Sequence, residues 1–321
     1  MDTAVTIDMA GGQVGGAARF RSELNGYLER HGRRDVKVIG AGRDLSAGWL
    51  AAREASAARR GRRIAVNNVG FMTPGGERWT LLRNALHFLT ASEASSLDPG
   101  LRAAVTRQAA IVHRAARRSD VVVAPCTAMG ERISSALPEV AGRLAIRMHP
   151  VTGRKASPPQ GSLVLCPVLF ASYKHMPDRI ADWLAAVGDA VDDSVRLIVT
   201  ASAPEVPGRL AASPRLHFVG RLTTRHLAGL WDCCRAVYFP TVLESFGFPL
   251  AEARAQGRPV IAADTPQNRE IASRALCGYL PGDRDSLRQA ISQALAAQVT
   301  PDPGPFDPDS YFDWMLGEGV R

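Results

Sequence analysis

The stretch AVYFPTVLESFGFPLAEARAQGRPVIAAD (residues 236–264) decides the fold class of this 321-residue chain. It opens with the apolar run AVYFP (236–240) and closes with a second apolar run, PVIAAD (259–264). Between these runs the sequence predicts a helix that begins at residues 246–248. Short strands that alternate with helices form parallel β–α–β units, so this stretch predicts one such unit.

The same alternation continues along the rest of the chain. Runs with strand character in the first half are AVTIDM (4–9), VKVIG (36–40), RIAVNNV (63–69), WTLLRNAL (79–86), VVVAP (121–125) and LAIRM (144–148). Those that precede residue 236 in the second half are SLVLCPV (162–168), VRLIVTA (195–201) and LHFVG (216–220). The predicted helices, read from the periodicity of apolar residues, are 16–32, 100–119, 174–190, 226–234 and 285–298. These patterns predict an α/β fold with parallel sheets.

A linker divides the chain into two parts. The stretch MHPVTGRKASPPQG (148–161) is rich in proline, glycine and polar residues and has no hydrophobic periodicity. The predicted domains are 1–150, 151–305 and a C-terminal segment, 306–321, that packs back on the first domain. We therefore expect two Rossmann-like, doubly wound domains that face each other across a cleft, with the ligand at the carboxyl ends of the strands.

Composition excludes several classes of protein. The chain is 46% apolar and 22% charged, close to the globular average, which argues against disordered and fibrous proteins. Its five cysteines form no CxxC pair, so neither a zinc ribbon nor a disulfide framework is indicated. No apolar run approaches the roughly 18 residues of a membrane span, and Met1-Asp2-Thr3 does not begin a signal peptide. We expect a cytoplasmic protein.

Two glutamates mark the most informative motif, Glu244 and Glu252, with seven residues between them. With a helix that begins near Phe248, Glu244 lies in the preceding loop and Glu252 about one turn into the helix. Both carboxylates can then accept hydrogen bonds from the hydroxyls of one sugar or ribose. The intervening Ser245–Phe248 supplies backbone N–H groups at a helix N-terminus, which suits a phosphate. A capped helix with one solvated glutamate is the alternative.

The order of elements from LHFVGRL (216–222) through HLAGLWDCCRAVYFP (226–240) to ESFGFPLAEARAQGRPVIAAD (244–264) closely resembles the donor half of family-4 glycosyltransferases, which have the GT-B fold. The resemblance implies transfer of a sugar from a nucleoside diphosphate sugar, UDP- or GDP-linked, with retention and without a required metal. It implies that Glu244 contacts hydroxyls of the transferred sugar. The amides of Ser245, Phe246, Gly247 and Phe248 would hold the sugar and phosphates, and Glu252 would bind the ribose.

The resemblance also implies cations beside the diphosphate. Lys174, in the sequence YKHM, matches the lysine of the family, whereas no arginine lies between Leu163 and Lys174. A departing diphosphate needs cationic or N–H donors when no metal is present. Arg221 in VGRL is the candidate for the missing cation. A solvated lysine at a helix start is the alternative for Lys174.

Two further candidates follow strands of the first half. Gly15 and Gly16 belong to GGQVGG (11–16), which is not a GxGxxG sequence but resembles in position the first glycine-rich loop of the family. The alternative is a tight strand-to-helix turn. His87 follows the fourth strand, where the family places a histidine near the reacting centre, so it is a candidate acid–base or hydrogen-bonding residue. Asn67 and Asn68, after the third strand, are candidates for acceptor hydroxyls.

Charge is distributed unevenly along the chain. Residues 1–150 contain 22 Lys and Arg against 13 Asp and Glu, a net charge of 22 − 13 = +9. Residues 151–321 contain 17 against 18, a net charge of −1. In the GT-B fold that the resemblance implies, the first half holds the acceptor, so the excess favours an anionic acceptor or one at an anionic membrane surface, where a cytoplasmic protein would bind peripherally. Solvated arginines that aid solubility are the alternative.

Other readings remain open. A non-catalytic, sugar-nucleotide-binding partner of another transferase is suggested by the missing arginine. A nucleic-acid binder is suggested by clusters such as Arg59-Arg60 and Arg62-Arg63, but no nucleic-acid-binding module is present, so none is expected. The sequence Asp283-Arg284-Asp285 has the DxD form of metal-dependent transferases, but it opens a helix, and we expect Asp285 to be the cap. No metal site is predicted.

Overall fold

The chain forms two compact units. The computed structural model describes residues 5–12, 14–57, 60–153, 161–188 and 194–317. The first unit comprises Met1–Thr152, Glu244–Phe246 and Phe306–Arg321, and the second comprises Gly153–Leu243 and Gly247–Pro305. Each unit is built around one six-stranded sheet in which all paired strands are parallel.

The strand order of the first sheet reverses between two neighbouring strands inside the sheet. Its strands are β1 (Val5–Asp8), β2 (Val36–Ile39), β3 (Arg62–Ala65), β4 (Glu77–Leu81), β5 (Val121–Ala124) and β6 (Leu144–Ile146). The order across the sheet is β2-β1-β3-β4-β5-β6. Val5 pairs with Val36 on one side and with Arg62 on the other. The chain therefore changes direction between β1 and β3, the place where doubly wound sheets bind ligands.

Five helices of the first unit connect these strands: α1 (Gly15–His31), α2 (Ala47–Ser56), α3 (Ala91–Ser96), α4 (Pro99–Arg118) and α5 (Thr127–Ala136). Local sequence explains two of their starts. Ser46 accepts a hydrogen bond from Trp49 N at 3.2 Å, and Asp98 accepts one from Leu101 N at 2.8 Å, with Pro99 at the first helical position. Helices α2, α3 and α5 are absent from the sequence prediction.

The second sheet has a Rossmann strand order. Its strands are β7 (Leu163–Cys166), β8 (Arg196–Val199), β9 (Leu216–Phe218), β10 (Ala236–Phe239), β11 (Val260–Ala263) and β12 (Leu276–Tyr279). Across the sheet they run β12-β11-β10-β7-β8-β9, so the chain changes direction between β7 and β10. Strands β10 and β11 are buried throughout, as expected for strands covered on both faces. The sequence did not predict β12, because Gly278 interrupts its short apolar run.

Six helices of the second unit follow these strands: α6 (Met176–Val187), α7 (Gly208–Ala211), α8 (Thr224–Cys233), α9 (Phe248–Gln256), α10 (Pro266–Ala272) and α11 (Arg284–Ala296). Helix α9 begins at Phe248, inside the predicted window. The expected cap of α11 is corrected: Asp283, not Asp285, accepts a hydrogen bond from Ser286 N at 2.9 Å. The helix begins at Arg284, so Asp285 lies within its first turn and pairs with Arg288 at 3.0 Å.

The C-terminal helix α12 (Pro308–Leu316) is part of the first unit. Tyr27 of α1 donates a hydrogen bond to Asp313 at 2.5 Å, and Phe312 lies 5.7 Å from Phe20, centroid to centroid. Arg62 donates to the carbonyl oxygen of Met315 at 2.7 Å. Aromatic packing and charged hydrogen bonds thus hold α12 to α1 and to the start of β3.

The observed sheets confirm the α/β class with two Rossmann-like, doubly wound domains. Arg62 and Arg63 of the basic cluster do not form an exposed patch. Arg63 is buried and donates to Thr73 O at 2.7 Å, and Arg62 stacks over Trp79, with Cζ 4.3 Å from the ring centroid. Arg59 lies outside the described residues.

Candidate functional site

Loops at the carboxyl ends of β7 and β10 define the candidate site of the second unit. These strands are neighbours, and the chain leaves them in opposite directions across the sheet. In such sheets the loops diverge at this point and leave a crevice for a ligand. The loop after β7 contains Lys174, and the loop after β10 leads into α9. Two separately predicted motifs therefore follow neighbouring strands at the carboxyl edge of one sheet.

Lys174 ends a short 3-10 turn, Ser172–Lys174. The next residue, His175, has a left-handed φ of 49°, and α6 begins at Met176, two residues later than the start predicted for this helix. The Lys174 side chain is half-buried, and its Nζ lies 5.9 Å from the ring centroid of Tyr173. Burial raises the pKa of the Cys166 thiol at the end of β7, and the charge of Lys174 opposes that rise. A cation therefore lies near the carboxyl end of β7.

Gly247 shapes the start of α9. It has a φ of 83°, and a Cβ at this position would lie 3.0 Å from side-chain atoms of Leu250 and Phe239. A side chain here would therefore be disfavoured both by the left-handed backbone and by these close contacts. No side chain caps α9, and its first turn contains no acidic residue. The N–H groups at this helix start suit an anionic group.

Glu252 is the fifth residue of α9 and is 5% exposed. Glu244 is half-buried and lies in Glu244–Phe246, which belongs to the first unit, whereas Gly247, Phe248 and Glu252 belong to the second. The predicted motif is therefore divided between the two compact units within a few residues.

Contacts in the first unit hold the segment Glu244–Phe246. Ser245 Oγ donates to Arg83 O at 2.7 Å, and Cys126 Sγ donates to Ser245 O at 3.3 Å. Phe246 is buried, with its ring centroid 5.1 Å from that of His149. The side chains of Ser245 and Phe246 thus have structural roles, which leaves their backbone groups as the candidates for ligand contact.

Arg221 lies apart from the switch point. It is exposed and follows β9, the edge strand, which is two strands away from β7. It shares the carboxyl edge of the sheet with Lys174 but does not follow either switch-point strand.

The glycine loop of the first unit follows β1 at the other switch point. Gly11, Gly12 and Gly15 have positive φ angles of 78°, 60° and 62°. A Cβ on Gly12 would lie 2.3 Å from the Cβ of Ala17, so only glycine fits there. Arg21 donates to the carbonyl oxygens of Gly11 and Gly12. Gly15 and Gly16 open α1, whose start has no side-chain cap.

A buried carboxylate organises this switch point, and the sequence analysis missed it. Asp8, the last residue of β1, is fully buried and pairs with Arg53 of α2 at 2.5 Å. Asn67, after β3, donates to Asp8 at 2.8 Å, and Trp49 donates at 3.1 Å. A charged residue at the end of the apolar run VTID was the available signal. Asn67 is thereby engaged in an internal hydrogen bond.

His87 packs against α4. It is 7% exposed, and its carbonyl oxygen lies 2.7 Å from Nε2 of His113. Burial lowers the pKa of His87, opposed by a hydrogen bond with Gln108. The ring is therefore neutral at pH 7. His113 of α4 is half-buried and stacks on Phe88.

Within the described residues, no group of three or more His, Cys, Asp or Glu side chains could hold a metal ion. In the same part of the chain no helix has the length and apolar character needed to cross a membrane.

Comparison with known proteins identifies the fold and one domain. WaaG, a glycosyltransferase involved in lipopolysaccharide biosynthesis, has a TM-score of 0.69 and 15% identity, covering 98% of this chain and 100% of that chain. Sucrose-phosphate synthase from Thermosynechococcus elongatus has a TM-score of 0.64 and 16% identity, covering 97% of this chain and 94% of that one. A structure described as trehalose-6-phosphate from E. coli bound with UDP-2-fluoro glucose has a TM-score of 0.66 and 9% identity, covering 98% of each chain. No curated protein sequence matches this chain.

The chain therefore has the two-domain GT-B fold of glycosyltransferases, as its sequence predicted. Residues 167–297, which contain Lys174 and all of α9, match the family model of the group 1 glycosyl transferases.

Proposed function

We propose that the protein transfers a sugar from a nucleoside diphosphate sugar to an acceptor with retention of anomeric configuration and without a required metal ion. The observation that carries the proposal is the β7/β10 switch point, where the loop with Lys174 and the uncapped, glycine-led start of α9 follow neighbouring strands. Both lie in the segment that matches the group 1 family. The UDP-2-fluoro glucose bound by a structural neighbour supports a UDP-sugar as donor, with a GDP-sugar as the other candidate.

Each proposed role follows from the chemistry of the residue. The N–H groups at the start of α9 and the ammonium of Lys174 would stabilise the diphosphate. Glu252, on the same helix, would accept hydrogen bonds from the ribose hydroxyls. Glu244 would accept them from the transferred sugar.

Retention in this proposal needs no protein nucleophile. The bond between the anomeric carbon and the phosphate oxygen breaks while the acceptor oxygen bonds to the same face of that carbon. The acceptor proton passes to the departing phosphate oxygen, so atoms and charge balance. Lys174 and the helix N–H groups would stabilise the charge that grows on the diphosphate, which is the part of the reaction that most needs electrostatic stabilisation.

The remaining candidates keep smaller proposed roles. Gly15 and Gly16 would allow close approach of substrate to the start of α1, and Arg221 would lie near the nucleotide base. His87 would act as a neutral hydrogen-bonding group rather than as a cationic acid, because burial lowers its pKa.

Calorimetry with UDP and GDP tests the donor site. Glu252→Ala is expected to weaken nucleotide binding at least tenfold, because the loss of a hydrogen bond to a charged group costs about 1.5–3 kcal/mol. Glu244→Ala is expected to leave nucleotide affinity within about twofold and to impair turnover of the sugar donor. Unchanged nucleotide affinity in the Glu252 variant would contradict the assignment.

Product analysis tests the reaction itself. The anomeric configuration of the product, read by NMR, is expected to match that of the donor, and turnover is expected to survive EDTA. Donor binding without turnover of any acceptor would favour the alternative that the absence of an arginine between Leu163 and Lys174 suggests, a non-catalytic partner of another transferase.

A further inference from the structure

Arg83 is a cationic residue of the first unit that the proposed mechanism does not use. It follows β4 by two residues, at the carboxyl edge of the first sheet. Its backbone N donates to Asn68 Oδ1 at 2.5 Å, and its carbonyl oxygen accepts from Ser245 Oγ at 2.7 Å. These two hydrogen bonds fix the position from which the side chain extends.

The guanidinium of Arg83 lies over an aromatic ring and not beside a carboxylate. Its Cζ is 4.6 Å from the ring centroid of Phe20, in the second turn of α1. Within the described residues, no acceptor or ion-pair partner of this guanidinium is found, and Nε is buried without a partner. A guanidinium carries five N–H donors, and a buried cation without a partner destabilises a fold. An unpaired group of this kind needs a reason.

The surroundings of Arg83 favour an anion. The pKa of Arg83 is lowered to about 10, mainly by burial; Tyr311 opposes this change and the nearby charge of Arg21 contributes to it. At pH 7 the group is therefore still charged. Tyr311 is 2% exposed, and its hydroxyl has no hydrogen-bond partner within the described residues. A second donor thus lies close enough to interact with the guanidinium. Nε of Arg83 is enclosed, whereas the residue as a whole is half-buried, so a ligand can reach its accessible part.

Resting on the proposed function, we propose that Arg83 binds an oxyanion of the acceptor, a phosphate or a carboxylate on a sugar. The planar donors of a guanidinium match the oxygens of either group in a bidentate pair. Arg83 belongs to neither the glycine loop nor the Glu244–Glu252 motif, although its carbonyl oxygen accepts from Ser245 of that motif. The acceptor class that follows is an anionic sugar.

Calorimetry with three probes tests this proposal: glucose 6-phosphate, glucuronate and neutral glucose. The wild-type protein is expected to bind one of the anionic probes at least tenfold more tightly than glucose, and which of the two binds distinguishes phosphate from carboxylate. Arg83→Met is expected to weaken that binding about 10- to 100-fold, the range for a charge-assisted hydrogen-bonded pair. Arg83→Lys keeps the charge but loses the planar donors. Its affinity for the anionic probe is expected to lie between those of wild type and Arg83→Met.

Arg34→Met is the matched control. It removes the same charge from an exposed position at the amino end of β2, the edge of the sheet opposite Arg83. Its affinity for the anionic probe is expected to stay within about twofold of wild type. Thermal melts separate ligand binding from folding: removal of an unpaired buried cation is expected to leave the melting temperature of Arg83→Met no lower than that of wild type. A structural role would lower it.

Three outcomes would overturn the inference: equal affinity for anionic and neutral probes, retained preference in Arg83→Met, or a loss of UDP affinity in Arg83→Met with the probe preference intact. The last result would assign Arg83 to the donor. UDP and GDP binding by the wild-type protein is measured in parallel. Its absence would contradict the proposed function, while the sugar probes would still report on Arg83.

Discussion

The carboxylate of Asp8 connects the loops at the β1/β3 switch point. It accepts hydrogen bonds from Arg53, Asn67 and Trp49 and from the backbone N of Ala10. Arg53 in turn donates to the carbonyl oxygens of Val69 and Gly70, at 2.8 and 2.7 Å. One buried ion pair therefore connects α2 with the loops that follow β1 and β3.

Removing one member of this pair is expected to destabilise the fold. Arg53→Met leaves Asp8 as an uncompensated buried charge, and the free energy of unfolding is expected to fall by about 3–5 kcal/mol. Urea denaturation measures the change. In the double variant with Asp8→Asn the loss is expected to be smaller than the sum of the two single losses. Arg34→Met, at an exposed position, is the control. Its free energy of unfolding is expected to stay within about 0.5 kcal/mol of wild type. Additive losses would show that the two side chains are not coupled.

The proposed role of Lys174 leads to a kinetic prediction. Its cation should meet charge that grows as the diphosphate departs, and only such differential stabilisation raises the rate of the chemical step. Lys174→Ala is therefore expected to lower kcat about 100-fold or more while donor affinity falls far less. Lys174→Arg is not expected to restore the rate, since a guanidinium has a different shape. Equal kcat for wild type and Lys174→Ala, with chemistry rate-limiting, would remove Lys174 from the site.

At the scale of elements, a charged pair joins α3 to α5. Arg132 of α5 forms two hydrogen bonds with Glu93 of α3, at 2.8 and 2.6 Å. Glu93 also completes the capping box of α3 by accepting from Thr90 N. The Arg132 hydrogen bonds are the main cause that lowers the pKa of Glu93 from 4.5 to about 2, and burial opposes them.

The lowered pKa of Glu93 predicts how stability depends on pH. The folded state favours the ionised carboxylate of Glu93 more than the unfolded state does. The resulting contribution to the free energy of unfolding is therefore complete above about pH 4.5 and is lost as the pH falls toward 2. Denaturation at pH 5, 4 and 3 is expected to show a shallower decline for Arg132→Met than for wild type. With Arg34→Met the decline is expected to match that of wild type. Identical declines in all three proteins would contradict the assignment of this pair.

At the scale of the whole molecule, the positive charge of the first half carries a prediction about association. Residues 1–150 have a net charge of +9, against −1 for residues 151–321. If this charge attracts the acceptor, the apparent acceptor affinity is expected to fall as salt rises, while nucleotide affinity changes less. Charge reversal at Arg117 and Arg118 of α4 is expected to reduce the salt dependence. Identical acceptor kinetics across the salt series and in this variant would leave the charge without a functional role.

Much of the fold could be predicted from local sequence. The paired runs AVYFP and PVIAAD became neighbouring parallel strands, because β-branched and aromatic residues between helical segments rarely form anything else. Helix α2 and strand β12 are two of the elements that escaped prediction; helices α3, α5, α7 and α10 are others. The residues of α2 and β12 carry weak signals, and both are stabilised by partners distant in sequence: Arg53 pairs with Asp8, and Leu276 pairs with Val260.

By itself the sequence determined the α/β class, the parallel strands, a helix start within residues 246–248 and the motif from Glu244 to Glu252. These features depend on residues a few positions apart, whose periodicity and backbone preferences can be read locally. Only the tertiary structure decided that Lys174 and α9 follow neighbouring strands, that Ser245 is hydrogen-bonded to Arg83, and that the Arg83 guanidinium lies over Phe20 without a carboxylate. Burial and partner choice bring together groups more than sixty residues apart, and no local pattern encodes which buried charge is left without a partner.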